Sequence, residues 1–261
     1  MYRIFFILFS ILQSFSSTAD ALIASNTKSI NMDECPSFIV SIGTENNHIC
    51  GGALISQRHV LTSELCVQNQ RAKNLKVSIG PTDLLSDSNY EYVNVESVMR
   101  FDDWIKRHHS TFYPNNDIAI LTLKQAVTDV KPGLINDTSL NINFYGKNVV
   151  TVGWEQDDDK NLLRCLQTSV LKVLTPDQCN ENLYRLTGSR FKINEKYFCT
   201  IGASQLLGKE NEGSPILYNN LIIGVNHGKF IDIIGDRHVE QDLHIGLEYY
   251  QRFIQDILSN A

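Results

Sequence analysis

The chain has 261 residues, of which 43% are hydrophobic and 20% charged, and its 23 basic and 29 acidic side chains give a formal net charge of −6. This composition is typical of a globular protein and excludes a peptide that is held together by disulfides alone. Nucleic-acid binding depends on clustered Lys and Arg, and the sequence contains only scattered basic residues. We therefore expect no nucleic-acid partner.

Residues 1–21 have the pattern of a secretory signal peptide. One positive charge precedes the apolar run 4–12, and the small residues Ala19 and Ala21 suit signal peptidase. We therefore expect cleavage after Ala21 and secretion of residues 22–261 to the extracellular space. An amphipathic anchor is the alternative interpretation of this segment. Because no later run is long and apolar enough to span a bilayer, we expect no membrane partner.

Most of the chain consists of short runs rich in Val, Ile, Phe and Tyr that are separated by polar turns. This alternation is typical of an all-β sandwich or barrel. Near the C-terminus, Leu247, Tyr250 and Ile254 recur at three- and four-residue steps, which predicts one amphipathic helix that packs against the body. The predicted strands lie within residues 38–42, 60–62, 77–80, 93–99, 118–123, 149–153, 170–174 and 216–225.

A polar stretch follows the predicted strand 93–99. It contains Asp102, Asp103, His108 and His109, whose side chains are of the types that bind metals. Their spacing is not typical of a known metal site, so we expect a solvated loop and no bound metal.

The predicted mature chain contains six cysteines. An even number of cysteines in a secreted protein favours disulfides, but the spacing leaves the pairing open. No C-x-x-C pair or Cys/His cluster indicates a zinc site. Asn136 begins an N-x-T tripeptide and is a candidate acceptor for an N-linked glycan on a surface loop. The cysteines are Cys35, Cys50, Cys66, Cys165, Cys179 and Cys199.

Five segments spread over the chain carry distinctive motifs. Residues 50–56 read C-G-G-A-L-I-S, and residues 59–66 read H-V-L-T-S-E-L-C. Three more segments follow at 116–121 (N-D-I-A-I-L), 152–154 (V-G-W) and 250–254 (Y-Q-R-F-I). Together they resemble the C-G-G-S-L-I, V-L-T-A-A-H-C, N-D-I-A-L-L, G-W-G and Y-x-x-W-I motifs of the trypsin-like serine proteases.

The resemblance implies an all-β fold of two six-stranded antiparallel β-barrels, packed side by side and followed by a C-terminal helix. It implies a first barrel at about residues 30–135, a second barrel at about 140–245 and the helix at about 246–259, which agrees with the strand pattern. It also implies the disulfide pairs Cys50 with Cys66, Cys179 with Cys199, and Cys35 with Cys165.

The resemblance further implies which residues occupy the catalytic positions. The family uses a serine nucleophile, a histidine base and an aspartate that orients the histidine. Only the aspartate remains, as Asp117, because Leu65 replaces the histidine and Glu212 replaces the serine of G-D-S-G-G-P. Leucine cannot exchange a proton, and a carboxylate in place of the serine would repel the oxyanion of acyl transfer. We do not expect the nearby Glu64 or His59 to replace the base.

Two further positions of the same block depart from the family. Glu210 stands at a glycine whose backbone N–H helps to form the oxyanion hole, and a side chain there restricts the backbone geometry. Asn211 stands at the aspartate that pairs with the new N-terminus of a cleaved zymogen, and an amide lacks that charge. The resemblance therefore implies that the oxyanion hole and zymogen activation are both lost.

The walls of the substrate pocket can also be inferred by counting from the nucleophile position. Leu206 falls at the base, which would not attract Lys or Arg, and Asn226, His227 and Gly228 replace the S-W-G that aligns a substrate as an added strand. We interpret His227 as a packing residue of the pocket wall rather than a new base. We expect Asn226 and backbone N–H groups to donate hydrogen bonds to the buried Asp117.

These features predict a non-catalytic serine protease homologue that acts as a monomer and needs no cofactor. Inactive relatives of this kind in arthropod haemolymph and venom imply a role in modulating a proteolytic cascade, in immunity, melanisation or venom action. The expected partners are proteases or their zymogen substrates, with the chain acting as cofactor or decoy. The alternative is an active secreted endopeptidase whose active-site blocks are aligned differently.

Overall fold

The computed structural model describes residues 27–29, 36–44, 47–80, 92–108, 116–136, 139–156, 162–190, 192–202, 211–234 and 237–259. The predicted signal peptide, Cys35, Leu206 and Glu210 therefore lie outside the described residues. None of the helices in the described ranges is long and apolar enough to cross a membrane.

The first barrel is built from six antiparallel strands that follow a short N-terminal strand. The strands are β1 (Thr27–Ser29), β2 (Ile39–Gly43), β3 (His48–Ser56), β4 (His59–Thr62), β5 (Lys76–Ile79), β6 (Tyr92–Arg100) and β7 (Ala119–Leu123). Strands β2 to β7 close a barrel in the order β2-β3-β4-β7-β6-β5. The first half of β6 alternates exposed and buried side chains, as expected where one strand face lines an interior.

The second barrel closes in the same way. Its strands are β8 (Asn148–Gln156), β9 (Leu162–Val173), β10 (Tyr197–Ile201), β11 (Pro215–Tyr218), β12 (Leu221–Ile234) and β13 (Arg237–Gly246). The order β9-β10-β13-β12-β11-β8 becomes a ring because β8 also pairs with β9, and β1 adds to the outer edge of β9. The predicted pair of six-stranded antiparallel barrels is confirmed.

Three α-helices accompany the barrels within the described residues. They are α1 (Phe101–His108), α2 (Pro176–Thr187) and α3 (Gln251–Ser259). The helix α3 is the predicted C-terminal helix and buries Phe253 and Ile254. It continues the buried cluster that runs through both barrels, so the two barrels share one core at their junction.

The expectation of a solvated loop is wrong for Asp102, Asp103 and His108, which lie in the helix α1, and His109 is outside the described residues. Phe101 and Trp104 are buried, and the Trp104 Nε1–H donates to Asp256 Oδ2 on α3 at 2.7 Å. Asp102 and Asp103 lie in the first turn, where negative side chains stabilise a helix by interacting with its dipole. Two buried aromatic anchors three residues apart outweigh the polar composition of the rest of the segment.

Two of the three implied disulfides are formed by described residues. Cys50 on β3 bonds to Cys66, which follows β4, and Cys179 on α2 bonds to Cys199 on β10. The pairing of Cys35 with Cys165 stays a prediction because Cys35 lies outside the described residues. The first disulfide fixes the turn that carries Leu65 against β3.

Candidate functional site

The residues that the resemblance places at the catalytic positions come from both barrels and meet at their junction. Leu65 lies in the turn after β4, and Asp117 lies just before β7. Glu212 lies just before β11, and its carbonyl accepts a hydrogen bond from the Gly51 N–H on β3 at 2.9 Å. This backbone contact holds the Glu212 loop of the second barrel against the first.

Asp117 is the centre of a hydrogen-bonded network in this cleft, with 7% of its surface exposed. Its Oδ1 accepts from Ser63 Oγ at 2.5 Å and from the Leu65 N–H at 2.8 Å. Its Oδ2 lies 2.5 Å from His227 Nδ1 on β12. Three partners compensate the burial of this carboxylate, which would otherwise cost several kcal/mol.

The expectation that Asn226 donates to Asp117 is wrong. The Asn226 side chain is fully buried, with Nδ2 donating to the Asn211 carbonyl at 3.0 Å and Oδ1 accepting from the Gly228 N–H at 3.1 Å. Both polar ends of its amide therefore bind backbone groups of nearby loops. The backbone N–H expected for Asp117 is supplied by Leu65.

His227 supplies the missing contact: the ring that we interpret as a packing group of the pocket wall also makes a polar contact with Asp117. The β12–β13 register shifts between Asn226 and Gly228, and Gly228 has a φ of 109°. A shift of this kind re-aims the intervening side chain, and here it directs His227 towards Asp117. The sequence signal was a titratable residue in place of the tryptophan of S-W-G, but residue type alone does not give direction.

The Glu212 side chain occupies the centre of the cleft. A side chain on Gly228 would place its Cβ 3.2 Å from Glu212 Oε1, so the carboxylate lies directly against Gly228. A carboxylate oxygen also lies within 4.8 Å of both sulfurs of the Cys50–Cys66 disulfide. Disulfide sulfurs offer no thiolate to a metal, so these three residues are not suited to bind one. Glu212 therefore spans the space between the two barrel walls.

The Asn211 side chain hydrogen-bonds to the backbone of one residue, Trp154 on β8. It is fully buried, its Nδ2 donates to the Trp154 carbonyl at 2.6 Å, and its Oδ1 accepts from the Trp154 N–H at 2.7 Å. Gly153 makes this approach possible, since a Cβ there would lie 2.0 Å from Asn211 Oδ1. The neutral amide has both ends satisfied and needs no counter-charge.

Glu64 and His59 do not hydrogen-bond to Asp117. Arg100 Nε lies 3.8 Å from Glu64 Oε1. Burial raises the pKa of Glu64 to about 7, with Asp102 adding to the rise and Arg100 opposing it. His59 is buried with its Nδ1 2.8 Å from Ser56 Oγ, and burial lowers its pKa. Both side chains thus have other partners, as expected from their positions in the sequence.

A second histidine lies deeper in the second barrel. His244 on β13 is the register partner of Asn226, is fully buried, and has its Nε2 2.8 Å from Thr200 Oγ1. Its Nδ1 has no hydrogen-bond partner among the described residues. Burial, with a smaller contribution from His227, lowers the pKa of His244 to about 3. This imidazole is therefore neutral at ordinary pH.

Comparison with known proteins agrees with this fold. The family model described as Trypsin matches residues 25–240. The chain belongs to the trypsin family. It is 24% identical over 191 residues to Venom serine protease 34 of Apis mellifera and 27% identical over 208 residues to Clotting factor G beta subunit of Tachypleus tridentatus. These matches cover 67% and 72% of this chain but only 43% and 63% of those relatives.

Solved structures show the same fold at low sequence identity. The scabies mite inactivated protease paralogue S-D1 superposes with a TM-score of 0.69 at 18% identity, covering 90% of this chain and 97% of that one. The Vibrio cholerae VesB protease superposes with a TM-score of 0.65 at 20% identity, covering 88% and 66%. One of these neighbours is named as an inactivated paralogue and the other as a protease, so the shared fold alone does not distinguish an inactive protein from an active one.

Proposed function

We propose that this chain is a secreted, non-catalytic serine protease homologue that binds protein partners and modulates a proteolytic cascade. The observation that carries the proposal is the Glu212 carboxylate at the centre of the cleft, where the family has its serine. Acyl transfer would develop an oxyanion beside this negative charge in a poorly solvated site, and the two charges repel. Leu65 removes the histidine that would activate a nucleophile from the first barrel.

The alternative, an active endopeptidase with a rearranged site, needs another nucleophile in the cleft. Two serine hydroxyls of the described chain adjoin the residues of the cleft, those of Ser63 and Ser214, and both residues are fully buried. Ser63 Oγ donates to Asp117, and Ser214 Oγ has no hydrogen-bond partner among the described residues. Neither hydroxyl is paired with an imidazole that could take its proton, which favours the non-catalytic proposal.

The proposed partner class rests on the family to which the chain belongs. We propose proteases or their zymogen substrates as partners, with the chain acting as cofactor or decoy in immunity, melanisation or venom action. The names of the honeybee venom and horseshoe crab clotting relatives support this setting. Secretion is supported by the signal-peptide pattern of residues 1–21 and by the two disulfides. We include glycosylation at Asn136, whose side chain is partly exposed.

The first experiment is incubation of the purified, oxidised protein with a fluorophosphonate probe and a broad peptide-substrate library, beside active trypsin. We expect no labelling and no cleavage. The same preparation is then added to arthropod zymogen mixtures, and the rate at which amidase activity appears is measured against its concentration. A concentration-dependent change in that rate supports modulation. Probe labelling that tracks with cleavage would contradict the non-catalytic proposal.

A further inference from the structure

The cleft retains an imidazole although Leu65 occupies the position at which the family carries its histidine. We propose that His227 restores, from the second barrel, the carboxylate-oriented base that Leu65 removes from the first. The chain then lacks a nucleophile but keeps a base. This inference does not rest on the proposed function, because a base without a nucleophile leaves the protein without peptidase activity.

The orientation of the ring follows from its contact with Asp117. An ionised carboxylate can only accept hydrogen bonds, so the proton in the 2.5 Å contact belongs to His227 Nδ1. In the neutral imidazole, Nε2 then carries the lone pair, as in a histidine that acts as a general base. The His227 side chain is 28% exposed against 8% for Asp117, so the ring extends from a buried anchor towards solvent.

The ring is held in place from several sides. The Ser63 hydroxyl and the Leu65 N–H fix Asp117, and the ring of Tyr197 lies 5.3 Å from that of His227. The adjacent Asn226 amide fixes the backbone by binding the Gly228 N–H. A base whose orientation is set before any ligand arrives needs no reorganisation to act.

The Glu212 side chain lies against the backbone beside this base. Glu212 Oε1 is 3.2 Å from the Cβ position of Gly228, which directly follows His227 in the chain. A serine introduced at position 212 therefore tests whether a hydroxyl in this part of the cleft reaches the imidazole. With a fluorophosphonate, the serine Oγ would bond to phosphorus, and the phosphorus–fluorine bond would break. Fluoride would leave with the electron pair, and the hydroxyl proton would pass to His227 Nε2.

The test is fluorophosphonate labelling of Glu212→Ser, with Glu212→Ala as the matched control that lacks the hydroxyl. General bases accelerate such steps by about a hundredfold or more, so we expect Glu212→Ser to label at least about tenfold faster than Glu212→Ala. Adding His227→Gln, which keeps a hydrogen-bond donor for Asp117 but no base, should return labelling to the control rate. Labelling that is insensitive to His227→Gln, or absent from a folded Glu212→Ser variant, would overturn the proposal.

A second measurement needs no change at position 212. Nitrogen-15 NMR of the unmodified protein with labelled histidine should show His227 protonated at Nδ1 and unprotonated at Nε2. Asp117→Asn should remove that signature, whereas a purely packing role for His227 predicts no effect on the tautomer. An Nε2-protonated ring in the unmodified protein would overturn the proposal. Labelling of the unmodified protein by the probe would instead contradict the proposed function, so the two failures are distinguishable.

Discussion

Positions 117 and 211 are both buried and both carry aspartate in the trypsin-like proteases, but they differ in this chain. Asp117 keeps its charge and is surrounded by a hydroxyl, a backbone N–H and an imidazole. Asn211 carries no charge, and its side chain pairs with the backbone N–H and the carbonyl of one residue, Trp154. A buried carboxylate is thus stabilised where several donors surround it, and a neutral amide is favoured where the site offers one donor and one acceptor.

The largest expected effect comes from restoring the charge at position 211. In Asn211→Asp, the carboxylate would face the Trp154 carbonyl at the distance now occupied by an N–H donor. An uncompensated buried charge costs about 3 to 5 kcal/mol, so we expect a loss of this size in the free energy of unfolding, measured by urea denaturation. Asn74→Asp, at an exposed position, is the control and should change stability little. Equal effects of the two substitutions would contradict the comparison.

Removing the charge at position 117 should have a smaller effect. Asp117→Asn weakens three hydrogen bonds to a charged group without creating a cavity, and we expect a loss of about 2 kcal/mol in the free energy of unfolding. A double-mutant cycle with His227→Gln measures the coupling between the barrels. If the two changes were additive, the contact between Asp117 and His227 would contribute nothing to stability, against our expectation of a favourable coupling.

The smallest expected effect concerns His244, whose ring contacts the Thr200 hydroxyl, whereas the ring of His227 contacts the Asp117 carboxylate. Because the pKa of His244 is lowered to about 3 in the folded protein, the unfolded chain binds its proton first as the pH falls below about 6.5. This group therefore reduces stability progressively as the pH falls between those values, and the loss between pH 7 and pH 5 is only its first part. Urea denaturation at pH 7, 6 and 5 measures the slope. We expect the slope to become shallower in His244→Gln, and an unchanged slope would contradict this assignment.

Much of this protein could be predicted from the sequence because the relevant signals are local. The alternating apolar runs predicted an all-β sandwich or barrel, and the step pattern near Tyr250 predicted the C-terminal helix. The family resemblance, carried by the motifs at 50–56, 59–66, 116–121, 152–154 and 250–254, implied the two barrels. Not every helix was predicted. The helix α1 was missed because Phe101 and Trp104 are anchored by residues far along the chain, including Asp256, which the polar composition of the segment does not reveal.

The sequence by itself predicted which catalytic groups are absent, since the resemblance places Leu65 and Glu212 at the histidine and serine positions and neither side chain can perform that chemistry. Only the tertiary structure decided what replaced the missing contacts. His227 and Asp117 are 110 residues apart in the chain, and they meet because a register shift in β12 turns the imidazole across the junction of the barrels. The neighbouring Asn226 side chain binds backbone groups and not Asp117. Residue type follows from the sequence, but the direction of a side chain depends on backbone geometry that distant strands set together.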